Sequence, residues 1–176
     1  MDLREVKEFI IDILKYILTI VIVIFIVVYI ATVQQIVGPS MESTYKDQDI
    51  VILNKFHYRL FKIKRFDVVT LKYDDSKYLI KRIIGLPGEK IEYKNNQLFI
   101  NDKKVKEDFL DKNMITEDFS LLSLGYKKIP KDMYLVLGDN RENSLDSREI
   151  GLIKKEDILG KIKLRIWPIN KFGLVK

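Results

Sequence analysis

Two side chains in this 176-residue sequence could do covalent chemistry together. Ser40 lies in Gly38-Pro39-Ser40-Met41, and Lys81 lies in Tyr78-Leu79-Ile80-Lys81-Arg82-Ile83-Ile84-Gly85. A serine hydroxyl needs a base before it can attack a carbonyl. A lysine serves only where an apolar setting pushes its amine towards neutrality. In an extended strand Leu79 and Ile83 share the face of Lys81, which supplies such a setting. Pro39 fixes its own φ and steers Gly38 to an extended backbone, so Ser40 is expected on a stiff strand-to-turn segment. Proline has no N–H, so the donor offered to an oxyanion is the backbone N–H of Ser40. Gly38 leaves room for a substrate strand to approach. Taken singly, Gly-Pro-Ser reads as an ordinary turn, and a strand lysine reads as an edge gatekeeper or an outward-snorkelling chain.

A third segment is Gly138-Asp139-Asn140-Arg141-Glu142-Asn143-Ser144-Leu145-Asp146-Ser147-Arg148, following the apolar run Met133 to Leu137. It is dense in groups that bond one another. It is either a solvated turn of Asx and Ser motifs or a set of partners that orients a lysine amine. Other chemistries are poorly supplied. There is no cysteine, hence no thiol nucleophile and no disulfide framework. A single histidine cannot assemble the usual zinc ligand sets, and no metal or cofactor is expected. A Ser-His-Asp arrangement would have to use His57, which has no acidic residue within seven positions, and no Gly-x-Ser-x-Gly elbow occurs.

The elements that must position these residues begin with an apolar N-terminus. Tyr16 to Val33 carries no charge, and Phe9, Ile10, Ile11, Ile13 and Leu14 extend the stretch upstream. Residues 9–33 are therefore expected to form one transmembrane helix across roughly 30 Å of hydrocarbon. Tyr29-Ile30-Ala31-Thr32-Val33 lacks a small-x-small ending, so the helix is expected to stay as an anchor. Residues 1–8 would lie in the cytoplasm and residues 34–176 would form the catalytic domain on the extracytoplasmic side. The net charge of +6 sits beyond the first 15 residues, which hold three basic against four acidic side chains. Such a basic surface suits an anionic leaflet. A membrane span in place of a helical DNA-reading module argues against a nucleic-acid partner.

Past the anchor the pattern is β. Asp49 to Asn54, Asp67 to Tyr73, Tyr78 to Ile84, Met133 to Leu137 and Lys161 to Trp167 are rich in branched and aromatic residues between turn formers. Ile91 to Lys94 and Gln97 to Ile100 flank Asn95-Asn96, a hairpin signal. Lys154 to Leu159 reads as one turn of helix. Residues 102–132, charged and without periodicity, read as a loop-rich insertion or cap. Phe56 to Phe66 interleaves aromatic and basic residues, as a membrane-interface surface or a packed amphipathic loop would. The fold class expected is mainly β, an antiparallel sheet or barrel-like catalytic domain with a single N-terminal transmembrane helix.

The order and spacing of these segments resemble the type I signal peptidases, the bacterial leader peptidases, in their Gram-positive form. The resemblance runs through the anchor, the Ser-Met segment, the Asp49-Ile50-Val51 strand, Lys-Arg-x-x-Gly-x-Pro-Gly and Gly-Asp-Asn-Arg…Ser-x-Asp-Ser-Arg. It includes the ending Trp167-Pro168-Ile169-Asn170-Lys171-Phe172-Gly173. It implies Ser40 as nucleophile, Lys81 as general base and Ser144 as the hydroxyl that orients the amine. It also implies Asp146 with Arg148 as a supporting ion pair and Asp139 as the partner of Arg82. Ile36, Met41 and Ile80 would line the pockets for small residues before the cleaved bond. The implied substrates are signal peptides of exported preproteins, cut after Ala-x-Ala-like sites. A specialised form devoted to pilin processing or pilus assembly is the alternative. Two departures stand out. Ser43-Thr44-Tyr45 replaces the usual proline and leucine-like residue, which would alter the S1 pocket. Gly38 stands where some members carry an oxyanion-assisting serine.

Overall fold

The structure, a computed structural model, describes residues 2–175. A helix α1 (Leu3–Phe25) opens the chain and continues into a π-helical turn, Ile26–Ile30. There follow β1 (Ala31–Gln35), β2 (Ile50–Asn54), the short α2 (His57–Leu60), β3 (Val68–Lys72) and β4 (Tyr78–Gly85). Next come β5 (Ile91–Lys94), β6 (Gln97–Ile100), β7 (Lys103–Val105), β8 (Phe119–Ser120) and β9 (Met133–Leu137). The chain closes with α3 (Ser147–Ile150), β10 (Ile153–Lys154), β11 (Ile158–Trp167) and β12 (Gly173–Leu174).

Seven strands lie in the order β1-β2-β11-β3-β4-β9-β10, with β12 added against β11, and every pairing is antiparallel. This sheet curls into a half-barrel. Register shifts in β11 and β4 supply local bends, as bulges do. Thr70 on β3 donates to Gln34 Oε1 on β1 at 2.7 Å, tying two strands that are not neighbours in the sheet. The second sheet, β7-β6-β5-β8, is built on the predicted hairpin. Asn95 and Asn96 have φ of 51° and 60°, the left-handed pair that a two-residue hairpin turn demands.

Three apolar clusters hold the sheets. One, around Ile63, Leu71, Ile83 and Val136, fills the half-barrel. A second, around Ile84, Ile91, Leu98, Ile129 and Leu135, joins the small sheet to the large one. A third, Ile36, Met41, Tyr45, Val51, Leu53, Val68 and Ile162, underlies the segment that carries Ser40. Each fully buried aliphatic side chain contributes about 1.5–3 kcal/mol through area withdrawn from water.

Several sequence expectations change. The span expected at 9–33 is not one continuous helix. Ala31 to Val33 leave it for β1, where β-branched Thr32 and Val33 meet Leu53 and Ile52 in register. Within α1 every 18-residue stretch holds at least three charged residues, the lowest case being Glu8, Asp12 and Lys15. Among the described residues no helix is long and apolar enough to cross a membrane. Residues 102–132, read as a loop-rich insertion or cap, also contain short regular elements. They supply β7 and β8, and they place Leu121 and Ile129 in the cluster between the sheets. Lys155–Asp157 is a single 3₁₀ turn, and β11 starts directly after it, three residues before the strand read from sequence.

Candidate active site

Past β1 the backbone turns sharply. Ile36 and Asp49 pair through Ile36 N–H to Asp49 O at 2.8 Å, and Gly38 N–H donates to Asp47 Oδ1 at 2.8 Å. Gly38 has φ +85°, not the extended backbone expected before proline. A residue without Cβ can take that left-handed turn at little cost, and the turn swings Pro39-Ser40 across the sheet. From Pro39 to Tyr45 the chain forms tight turns that drop Met41 and Tyr45 into the core, at 0% and 1% exposure. The carbonyl of Ser40 accepts from Asn140 N–H at 3.0 Å. Its own N–H has no acceptor among the described residues. Ser40 is thus anchored through its backbone on one side, with its hydroxyl and N–H left for other partners.

The partner of the hydroxyl is Lys81. Its Nζ lies 2.8 Å from Ser40 Oγ, and the residue is 2% exposed. Burial pushes the Lys81 amine down from the usual lysine value to about 8, against the opposing pull of the Asp146 and Asp139 carboxylates. Removing an ammonium from water disfavours its charged form, so burial in the strand interior enlarges the uncharged share of this amine near neutral pH.

Two carboxylate–guanidinium pairs flank the amine. Arg82 grips Asp139 by two bonds, Nε to Oδ1 at 2.8 Å and Nη2 to Oδ2 at 2.6 Å, with 1% and 0% of the side chains exposed. Arg82 also donates to Thr44 Oγ1 at 2.9 Å and Phe66 O at 2.9 Å, and Thr44 donates to Asp139. The departure at Ser43-Thr44-Tyr45 therefore has a structural use. Thr44 ties the serine-bearing turn to the buried pair, and Tyr45 packs under Arg165 at 5.1 Å. The second pair is Asp146 with Arg148, joined by bonds of 2.9 Å from both Nε and Nη2. Asp146 Oδ2 also accepts Gly138 N–H at 3.0 Å.

Ser144 sits against Gly138. Its Oγ is buried and has no hydrogen-bond partner among the described residues, so the bond to the lysine amine implied by the resemblance is not among those formed. A Cβ on Gly138 would come within 2.1 Å of Ser144 Oγ and 2.5 Å of Ser40 O. Gly138 is therefore the spacer that lets the Ser144 segment and the Ser40 backbone touch. Sequence reasoning quoted this glycine without giving it that role. Thr44 and Asn140 were quoted within their segments without their bonding roles, and Phe109, whose ring lies 3.9 Å below the Arg82 guanidinium, was not singled out. Only the crowding of bonding groups around 138–148 hinted at partners, and nothing local marks Phe109.

A cleft of about 240 Å³ opens beside Ser40 and Lys81. Ile36, Met41, Ile80, Leu79 and Tyr78 line it, while Gly38 does not. The first half of β4, Tyr78 to Lys81, pairs only with β3, since β9 joins at Arg82. One edge of that half-strand therefore faces the cleft without a neighbouring strand. A larger groove of about 1080 Å³ lies by Lys55, Tyr58 and Lys155 and contains neither Ser40 nor Lys81. His57 stacks on Phe61 at 5.1 Å and meets Tyr58 edge-on at 5.0 Å, and it bonds to neither Ser40 nor Lys81. Among the described residues no cluster of His, Cys, Asp or Glu could hold a metal.

A half-barrel that presents a serine to a buried amine has the build of a serine peptidase that works without histidine. The profile of the signal peptidase family (peptidase S26) matches residues 10–167. The chain is 46% identical over 133 residues to signal peptidase I V of Bacillus subtilis strain 168, covering 71% of this chain and 79% of that one. It is 39% identical over 177 residues to signal peptidase IB of Staphylococcus aureus strain COL, covering 92% and 93%. The crystal structure of a signal peptidase I from Enterococcus faecalis V583 superposes with a TM-score of 0.52 at 36% identity, covering 57% of this chain and 97% of that one. The chain belongs to the signal peptidase family and is a serine peptidase of the signal peptidase I type.

Proposed function

We propose that this protein removes N-terminal signal peptides from exported preproteins at small-x-small sites, with Ser40 as nucleophile and Lys81 as general base. The observation that carries the reading is the buried Lys81 amine 2.8 Å from the Ser40 hydroxyl, in a setting that pushes its pKa down to about 8. Neutral Lys81 takes the Ser40 proton as Oγ attacks the scissile carbonyl, and the tetrahedral oxyanion meets the Ser40 N–H. The lysinium then passes its proton to the departing amine, the C–N bond breaks, and an ester to Ser40 remains. Lys81 next accepts a proton from water, whose oxygen attacks the ester and releases the signal peptide, and the proton returns to Ser40. Asp139, Arg82, Asp146 and Arg148 hold the walls around the amine, and the Ser144 hydroxyl, unbonded among the described residues, is the group that would orient it.

Substrate enters as a strand along the unpaired edge of Tyr78 to Lys81. Ile36, Met41 and Ile80 close the floor of the cleft, so side chains before the cleaved bond must be small. Replacing alanine by phenylalanine just before the cleaved bond of a preprotein is expected to lower kcat/KM by about a hundredfold, as read by gel or mass spectrometry. Equal cleavage of both substrates would remove the specificity reading.

The base must be uncharged, so kcat/KM is expected to rise about tenfold per pH unit below the Lys81 value of about 8 and to level off above it. A flat profile between pH 6 and 9 would exclude a titrating lysine base.

The uncharged helical run from Tyr16 to Ile30 supports attachment to the bilayer. Its side chains, such as Tyr16, Leu18 and Phe25, are exposed at 72%, 60% and 54% and call for an apolar neighbour. In this reading residues 1–8 stay in the cytoplasm, and the β domain works at the outer surface, on the plane in which the signal peptide is held.

A further inference from the structure

The segment between β7 and β8, residues 106–118, crosses from the small sheet to the loop 138–148 and touches both arginines behind the site. At one point it meets Arg141, a side chain with 0% exposure. The Arg141 guanidinium donates to Glu107 Oε1 at 2.6 Å, Thr116 Oγ1 at 2.9 Å and Tyr93 Oη at 3.0 Å. Its Nε donates to Gly138 O at 3.0 Å. Tyr93 in turn donates to Glu107 at 2.8 Å. All but one of these acceptors belong to the small sheet and its strap, and the remaining one is the carbonyl of the glycine wedged against Ser144 and Ser40. At the other point Phe109 lies under the Arg82 guanidinium at 3.9 Å and against Phe66 at 5.1 Å, closing the apolar side of the Arg82–Asp139–Thr44 cluster.

We propose that this strap positions the reacting groups: Glu107 through Arg141 and Gly138, and Phe109 through Arg82, Asp139 and Thr44. Neither residue touches the cleft. The inference rests on the Ser40–Lys81 reading and adds that the small sheet belongs to the catalytic machinery. The physical reason is the absence of slack. Gly138 has no room even for a methyl group, so a shift of its carbonyl is passed to the Ser40 backbone. Buried Arg141 without its carboxylate must move or hydrate, since an uncompensated buried charge is costly. Uncovering Arg82 admits water beside the amine, which lets the ammonium form persist to higher pH.

The test uses the full chain in phospholipid vesicles with a preprotein substrate, comparing Glu107→Gln, Phe109→Leu and Phe109→Tyr. Phe109→Leu keeps an apolar group of similar reach and folds even if the charge variant does not. It is expected to lower kcat by about ten- to a hundredfold with KM changed by less than about threefold. The midpoint of the rising pH limb is expected to move up by about half a unit or more. Phe109→Tyr should restore most of the rate, because its ring still covers the guanidinium. If kcat and the pH midpoint stay at parental values while only the melting temperature falls, the strap is merely structural and the proposal is overturned. A rise confined to KM overturns it equally. Ser40→Ala run alongside keeps the two readings apart. Cleavage by that variant sinks the nucleophile assignment, whereas an inactive Ser40→Ala beside an unaltered Phe109→Leu sinks only the strap.

Discussion

Ser40→Ala is expected to lower preprotein cleavage by roughly 10⁴-fold or more, with the fold and substrate affinity retained. The substitution deletes one oxygen from a half-buried residue whose anchoring runs through its backbone carbonyl to Asn140. Met41 and Tyr45, which pack the following turn, are untouched. The cleft floor at Ile36 and Ile80 is also unaltered, so the inactive variant should hold an uncleaved preprotein. Circular dichroism, thermal unfolding and a cleavage assay in detergent or vesicles check all three points together. Residual turnover within tenfold of the parent would place the nucleophile elsewhere.

Lys81→Met should lose activity to a comparable degree while leaving stability unchanged or raised. A buried ammonium-forming group costs desolvation energy. An apolar chain of similar length removes that cost, which often makes such replacements neutral or stabilising. Loss of rate with a steady or higher melting temperature would separate a chemical role from a structural one. Lys81→Arg should be equally inactive, because a guanidinium cannot give up its proton near pH 8, and its permanent charge should destabilise the core as well. The Ser40→Ala, Lys81→Met double variant should be no slower than either single one, since groups that act as one unit do not add. Activity in Lys81→Met above a tenth of the parent would end the proposal that this amine is the base.

Much of the β pattern was legible because it rests on local chemistry. Branched residues between turn formers located β2, β3, β4 and β9 to within a residue or so. Asn95-Asn96 announced its hairpin through a backbone conformation that asparagine tolerates. Errors arose where distant partners override local preference. Ala31 to Val33 look like the end of an apolar helix until β2 offers them a register. Residues 102–132 read as loop-rich because β7 and β8 are short and gain their pairing from β6 and β5. Gly38 was read through the proline that follows it, whereas its φ is set by the turn that Asp47 closes.

Lys81 stood out as a candidate base through its local setting, an amine among Leu79, Ile80, Ile83 and Ile84, and the family resemblance implied the same role. The family resemblance added Ser144, Asp146, Arg148, Asp139 and Arg82 as residues. It did not say that Thr44 bridges Arg82 and Asp139, or that the hydroxyl of Ser144 stands without a bond behind Gly138. The first of those relations joins positions 44, 82 and 139, and no local spacing encodes it.

By itself the sequence determined which side chains could react, and that β structure would carry them, because reactivity and strand preference are properties of residues and their near neighbours. Only the tertiary structure decided that two residues 41 positions apart come together so that one amine reaches one hydroxyl. It alone withdrew that amine from water, brought two carboxylates to bear on it, and bound the small sheet to the arginines behind it. Burial and long-range contact are properties of the packed chain, and they set the pKa of this lysine below that of an exposed one.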